Sequence, residues 1–174
     1  MVPVADRRRP TAPGGGRRAS HGEAAEHSGT MDSTSGQTIS THHTRRTSWG
    51  VSVAVIIPCY NVEHHVEAAV RSVWAQTLAP AEVIAVDDGS TDGTPALLAR
   101  LASESPGRLQ VIIQPNKGAN AARNAGVRAT RSEFVQFLDA DDVLHPDKLA
   151  HQVALARAGA DVVVGGYRNR YVNG

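Results

Sequence analysis

Two clusters of acidic residues have the types and spacing for ligand chemistry. In Phe137-Leu138-Asp139-Ala140-Asp141-Asp142, carboxylates two residues apart follow directly on an apolar run. Extended backbone turns residues i and i+2 to the same side, so Asp139 and Asp141 are predicted to face one way if that geometry persists past the run. Carboxylates held that close repel each other unless a cation neutralises them. Hard oxygen donors select Mg²⁺ or Mn²⁺, which in turn bridge phosphate oxygens. Asp141 is therefore read as a metal ligand, Asp142 as a cap for the following helix, and His145 as a turn residue. In Asp87-Asp88-Gly89-Ser90-Thr91-Asp92-Gly93-Thr94 the composition is that of a turn. A turn alone does not require two adjacent carboxylates, and one of them can hydrogen-bond a base or ribose. Asp92 or Thr94 is expected to cap the next helix. Asn116-Lys117-Gly118 precedes an alanine-rich segment and offers backbone N–H groups, a helix N-terminus and a cation, all suited to an anion. Lys117 reads equally well as a solvated turn residue, and Arg123 and Asn124 either reach this rim or cover the sheet.

Something must hold these loops in place, and the apolar pattern says what. Runs of β-branched and large apolar residues recur at Val51–Ile57, Val83–Val86, Leu109–Ile113, Phe134–Leu138 and Val162–Val164. Short, nearly continuous apolar strands fit a sheet buried on both faces, hence a parallel one. Helical patterns lie between them: Val62–Gln76 on a 3.6-residue period, Thr94–Ser103 opening with Thr-Pro, Asn120–Ala129, and Pro146–Ala158. Alternating strands and helices predict a doubly wound α/β sheet with right-handed crossovers. In such a sheet, ligands bind outside the carboxyl ends of the strands. The loops leaving the strands carry PCYN, DDGSTDG, PNKG and DADD, whereas the returning loops TLAPA, SESPGR and TRS are bland. One rim thus holds the chemistry.

The 174 residues carry a formal charge of +1, which argues against a dedicated nucleic-acid binder. Residues 1–48 hold seven arginines and four acids and almost no large apolar side chains. They are expected to be a disordered tail, because such a segment cannot offset the entropy of ordering its backbone. The domain proper is assigned to residues 49–174. A single cysteine, Cys59, excludes an intramolecular disulfide and fits a reducing compartment. It has no His–Asp arrangement to activate it and is read as a small buried thiol. No apolar run approaches the roughly 20 residues that span a bilayer, and no signal-peptide core is present. A cytoplasmic protein is expected, with a peripheral place at the inner face of the membrane left open. Trp74 lies on an apolar stripe and is assigned to the core, and His64-His65 point apart on a helix.

Four blocks then coincide in order and spacing. Val55-Ile56-Ile57-Pro58-Cys59-Tyr60-Asn61, Val86–Thr94, Asn116-Lys117-Gly118 with Ala122-Arg123-Asn124-Ala125-Gly126, and Phe137–Asp142 resemble family 2 glycosyltransferases of the GT-A fold over residues 52–170. The resemblance implies inverting, metal-dependent transfer from a nucleoside-diphosphate sugar, a UDP-sugar by family habit, to an acceptor hydroxyl on an unidentified glycan or lipid. By position, Pro58 and Tyr60 would line the base pocket and Asp88 would hydrogen-bond the base. Asp139 would contact ribose or metal, and Asp141 would coordinate the Mg²⁺ or Mn²⁺ that bridges the diphosphate. Lys117 and Arg123 are candidate donor contacts. The family's general base lies in an acceptor half, and no Asp or Glu follows Asp161. No catalytic residue is assigned here, and the chain is expected to be the donor-binding part, with a non-catalytic fragment or half of a split enzyme as the alternative. Without that base, roughly 10²–10⁴-fold in rate would be missing.

Overall fold

The structure is a computed structural model that describes residues 1–3 and 51–166. Residues 4–50, most of them in the expected tail, and the last eight residues lie outside the described part; Met1–Pro3, placed in that tail by the sequence reading, instead join the fold, Met1 in the core and Val2–Pro3 in the sheet. Among the described residues, β1 (Val2–Pro3) is followed by β2 (Val53–Cys59), α1 (Val66–Trp74), β3 (Glu82–Asp87) and α2 (Thr94–Glu104). Then come β4 (Gln110–Ile113), α3 (Ala119–Ala129), β5 (Phe134–Phe137) and α4 (Lys148–Arg157). The sheet order is β1-β5-β2-β3-β4, and all pairs are parallel except β1 with β5. This is the doubly wound, mostly parallel α/β sheet that the alternation of apolar runs predicts.

Register explains why the strands read as continuous apolar runs. Val53, Val55 and Ile57 of β2 join Val83 and Ala85 of β3 in one buried cluster, together with residues of α1, α2 and α4. The alternate residues Ile84 and Val86 pack with Ala122 of α3 on the other face. Both faces are covered, so neither set can be polar. Helix α3 lies very close to the sheet. A Cβ on Gly126 would sit 2.4 Å from Ile56 Cγ2, so only glycine admits this approach.

The sequence and the structure part company at the sheet's β5 edge. The run Val162–Val164, read as a fifth parallel strand, forms no strand: Val162 and Val164 are exposed, and only Val163 engages the chain, exchanging hydrogen bonds with Met1. The reason is competition, because the outer edge of β5 is already paired with Val2–Pro3. Helix starts also shift. Helix α1 begins at Val66 rather than Val62, after a turn in which the His65 N–H donates to the Val62 carbonyl. Helix α4 begins at Lys148, not Pro146. Asp142 caps nothing; its N–H donates back to the Asp139 carbonyl, and Asp147 occupies the cap position. Trp74 is half-buried against the main cluster, with the Arg108 guanidinium 5.0 Å from its ring centre. Among the described residues no helix is long and apolar enough to cross a membrane.

Candidate functional site

Parallel strands put their carboxyl ends on one rim, and hydrogen bonds seal the loops that leave them. The Asp88 N–H donates to the Cys59 carbonyl (2.8 Å), the Gln114 N–H to the Asp87 carbonyl (2.9 Å), and the Leu138 N–H to the Ile56 carbonyl (3.0 Å). These bonds carry the ladder one step past the strands, so the loops of β2, β3, β4 and β5 start side by side. Asp88, Lys117, Asp139 and Asp141 therefore share one edge of the sheet.

The loop after β2 is sewn to the loop after β3. The Asn61 N–H donates to Ser90 Oγ (3.0 Å), and the Thr91 N–H donates to Asn61 Oδ1 (2.8 Å). The Glu63 N–H donates to Asp92 Oδ2, whose other oxygen accepts the Thr94 N–H. The Val62 N–H donates to the buried Thr94 hydroxyl oxygen at 2.9 Å, and the Gly93 N–H to Glu63 Oε2. Thr94 thus ties two loops together rather than capping α2, while Asp92 serves the start of the helix. Asn61 sits at φ 51, a conformation that Asn tolerates better than most residues. Pro58 and Tyr60 emerge from this clamp, Pro58 partly covered and Tyr60 49 % exposed.

Asp88 is only 2 % exposed, and its carboxylate holds the third loop. Oδ1 accepts from Gln114 Nε2 (2.6 Å) and the Lys117 N–H (3.0 Å), and Oδ2 accepts from the Gly118 N–H (2.7 Å). Burial opposes ionisation, but these three donors outweigh it and hold the carboxyl below the ordinary Asp range. Two of the backbone N–H groups expected to be free for an anion are thereby committed. The Lys117 side chain remains exposed. Gly89, at φ 73, lets the two loops touch, since a Cβ there would lie 2.8 Å from the Asn116 nitrogen. Asp87 is buried and accepts the Ser90 N–H. Cys59, 1 % exposed, has its thiol pushed up to about 12, first by burial and then by Asp87, which leaves it inert as a nucleophile near neutral pH.

Beyond β5 the character changes. Asp139 and Asp141 are exposed on either side of buried Ala140. Arg123 Nη2 donates to Asp139 Oδ1 at 2.6 Å, and Nη1 donates to Asn120 Oδ1 at 3.3 Å. Among the described residues nothing engages the Asp141 carboxylate, and no group of three or more His, Cys, Asp or Glu is gathered to cage a metal. Strand β5 ends at Phe137 and the Asp142 N–H closes a turn onto the Asp139 carbonyl, so the extended spacing that would turn both carboxylates one way does not continue through this loop; each stays open to solvent, as a hard-cation ligand that also leaves room for water and ligand oxygens would be. The loop behind them is fastened to α1: Gln76 donates from Nε2 to the His145 carbonyl and accepts the Leu149 N–H, and the Leu144 N–H donates to Ser72 Oγ. His145 is a turn residue, its Nδ1 accepting the Asp147 N–H at 3.4 Å. Glu63, Gln114 and Gln76 escape a reading of the sequence because the partners that give them their roles lie 26 to 73 residues away.

The fold is that of a GT-A glycosyltransferase. The model of the glycosyl transferase family 2 matches residues 54–174, and the chain belongs to that family. It is 41% identical over 113 residues to the uncharacterized glycosyltransferase alr2836 of Nostoc sp., covering 65% of this chain and 35% of the relative. It resembles S. aureus TarS 1-349 solved in complex with UDP-GlcNAc (TM-score 0.56, 29% identity, 62% of this chain and 31% of that one). It also resembles the mannosyltransferase PcManGT from Pyrobaculum calidifontis, solved with GDP-Man and Mn2+ (TM-score 0.56, 32% identity, 63% and 32%). The chain spans about a third of the length of these proteins.

Proposed function

We propose that residues 49–174, with Met1–Pro3 completing the edge of the sheet, form the donor-binding part of an inverting, metal-dependent glycosyltransferase that uses a nucleoside-diphosphate sugar. The observation that carries this reading is the pair of exposed carboxylates, Asp139 and Asp141, on the same rim as the clamped Pro58–Tyr60 loop. Pro58 and Tyr60 offer an apolar ledge and a ring on which a base can stack. An ionised carboxylate has about four acceptor positions. Three of those on Asp88 are filled, and the last, on Oδ2, suits a single ring N–H such as a uracil or guanine base presents. Asp139 and Asp141 would hold Mg²⁺ or Mn²⁺, whose chemistry when bound is Lewis-acid stabilisation of the departing diphosphate. Lys117 and Arg123 add positive charge toward the same phosphates. A UDP-sugar is the favoured donor, supported by the UDP-GlcNAc complex of TarS. Transfer to an acceptor glycan or lipid is proposed for the whole enzyme. A lone buried thiol suits work in the cytoplasm.

Titration calorimetry with UDP and with GDP, each with Mn²⁺ or with chelator, tests this. UDP should bind with Mn²⁺ and lose most of its affinity in chelator. Equal heats in the two conditions would remove the metal from the account, and no binding of either nucleotide would remove the donor site.

A further inference from the structure

The ion pair at the rim does more than add a cation. Arg123 carries a permanent charge, and its guanidinium is held twice, by Asp139 Oδ1 at 2.6 Å and by Asn120 Oδ1 one helical turn before it. Its backbone cannot move away, because α3 is pressed against β2 at Gly126 with no room for a methyl group. A divalent ion approaching Asp139 would sit a few ångströms from that guanidinium and would have to share the carboxylate with it. Like charges at such separation repel, and the carboxylate's charge is already partly neutralised. Asp141 alone is a single ligand, too little for a firm site.

We infer that Arg123 acts as a positioning residue that blocks Asp139 against a bare divalent cation and yields it only when an anionic diphosphate draws the guanidinium away. The inference rests on the reading of Asp139 and Asp141 as cation ligands given above. A diphosphate supplies several acceptor oxygens to a guanidinium fork, which favours the exchange. Cation and nucleotide then help one another beyond the chelation that the nucleotide itself provides, and the coupling works equally in both directions. The device biases the site against filling with metal before the donor arrives.

The test measures Mn²⁺ binding without nucleotide, from the loss of the free-ion signal in electron paramagnetic resonance, on the 174-residue chain. Arg123→Met should bind Mn²⁺ about three- to fivefold more tightly than the natural chain, the scale of an exposed ion pair. It should also show a smaller gain in Mn²⁺ affinity on adding UDP. Adding Asp139→Asn should abolish the gain, and Arg128→Met, which removes an equal charge from the far end of α3, should leave Mn²⁺ affinity within about twofold. Should Arg123→Met fold poorly, Arg123→Lys, which cannot fork between Asp139 and Asn120, should give a smaller tightening in the same direction. Unchanged or weaker Mn²⁺ binding in the Arg123 variants, or an equal effect from Arg128→Met, overturns the inference. If UDP with Mn²⁺ binds the natural chain in those experiments, the donor-site reading survives that failure; if it does not, that reading falls first.

Discussion

The two halves of the rim look alike in sequence and are built on opposite plans. Around β2, β3 and β4, Asp88, Asp92 and Glu63 spend their carboxylates on backbone N–H groups of neighbouring loops, and Asp87 on one in its own loop. Beyond β5, Asp139 and Asp141 stand in solvent, one held by a single arginine. A carboxylate whose lone pairs are consumed inside the protein builds the shape of a site. One that keeps them free can take a ligand. Side-chain type does not distinguish the two cases; neighbours in space do.

If the clamped half is structural and the open half is not, substitutions should separate into stability and binding effects. The largest loss is expected from Gly89→Ala, which adds a side chain at φ 73 and drives a Cβ against the Asn116 nitrogen. Urea unfolding should report about 3 kcal/mol less stability. Asp88→Ala strips acceptors from Gln114 and from two backbone N–H groups and should cost about 2 kcal/mol. It should weaken UDP binding with or without Mn²⁺, and a full-strength interaction in calorimetry would break the comparison at its firmest point. Thr94→Val keeps the shape but leaves the Val62 N–H without its acceptor, for about 1 kcal/mol. At the open end Asp141→Ala should change stability by less than about 0.5 kcal/mol while removing the Mn²⁺-dependent part of UDP binding. A variant that unfolded the chain would show that this half, too, is scaffold.

Acid titration sharpens the same contrast. The Asp88 carboxyl is held below its ordinary range, so its contribution is complete above the unfolded value of about 4. That contribution drains away as pH falls through the lower folded value, since the unfolded chain then takes up the proton first. Asp88→Asn should flatten the stability curve below about pH 4.

Much of this was legible beforehand because it depends on local pattern. The β-branched runs and the 3.6-residue period of Val66–Val73 encode the layered sheet, and the contrast between DDGSTDG or DADD and TLAPA marks the working rim. What escaped has no local signature. Nothing in Val2-Pro3 announces a strand, which exists because β5 offers a free edge. Val162–Val164 has strand-like residues and lacks that edge for the same reason. Thr94 looks like a cap until Val62, 32 residues earlier, claims its oxygen. Asp88 shows no sign in the sequence of its second task, holding Gln114 and the turn at Lys117 with three of its acceptor positions.

Cys59 gives the clamped half a built-in clock. Its sulfur lies where β2 hands over to the first loop, sealed from water and with a thiol at about 12. An alkylating reagent can reach it only in the moments when the seam between the two loops parts. The labelling rate at neutral pH therefore counts those openings, and a nucleotide that rests on Tyr60 next door should slow the count.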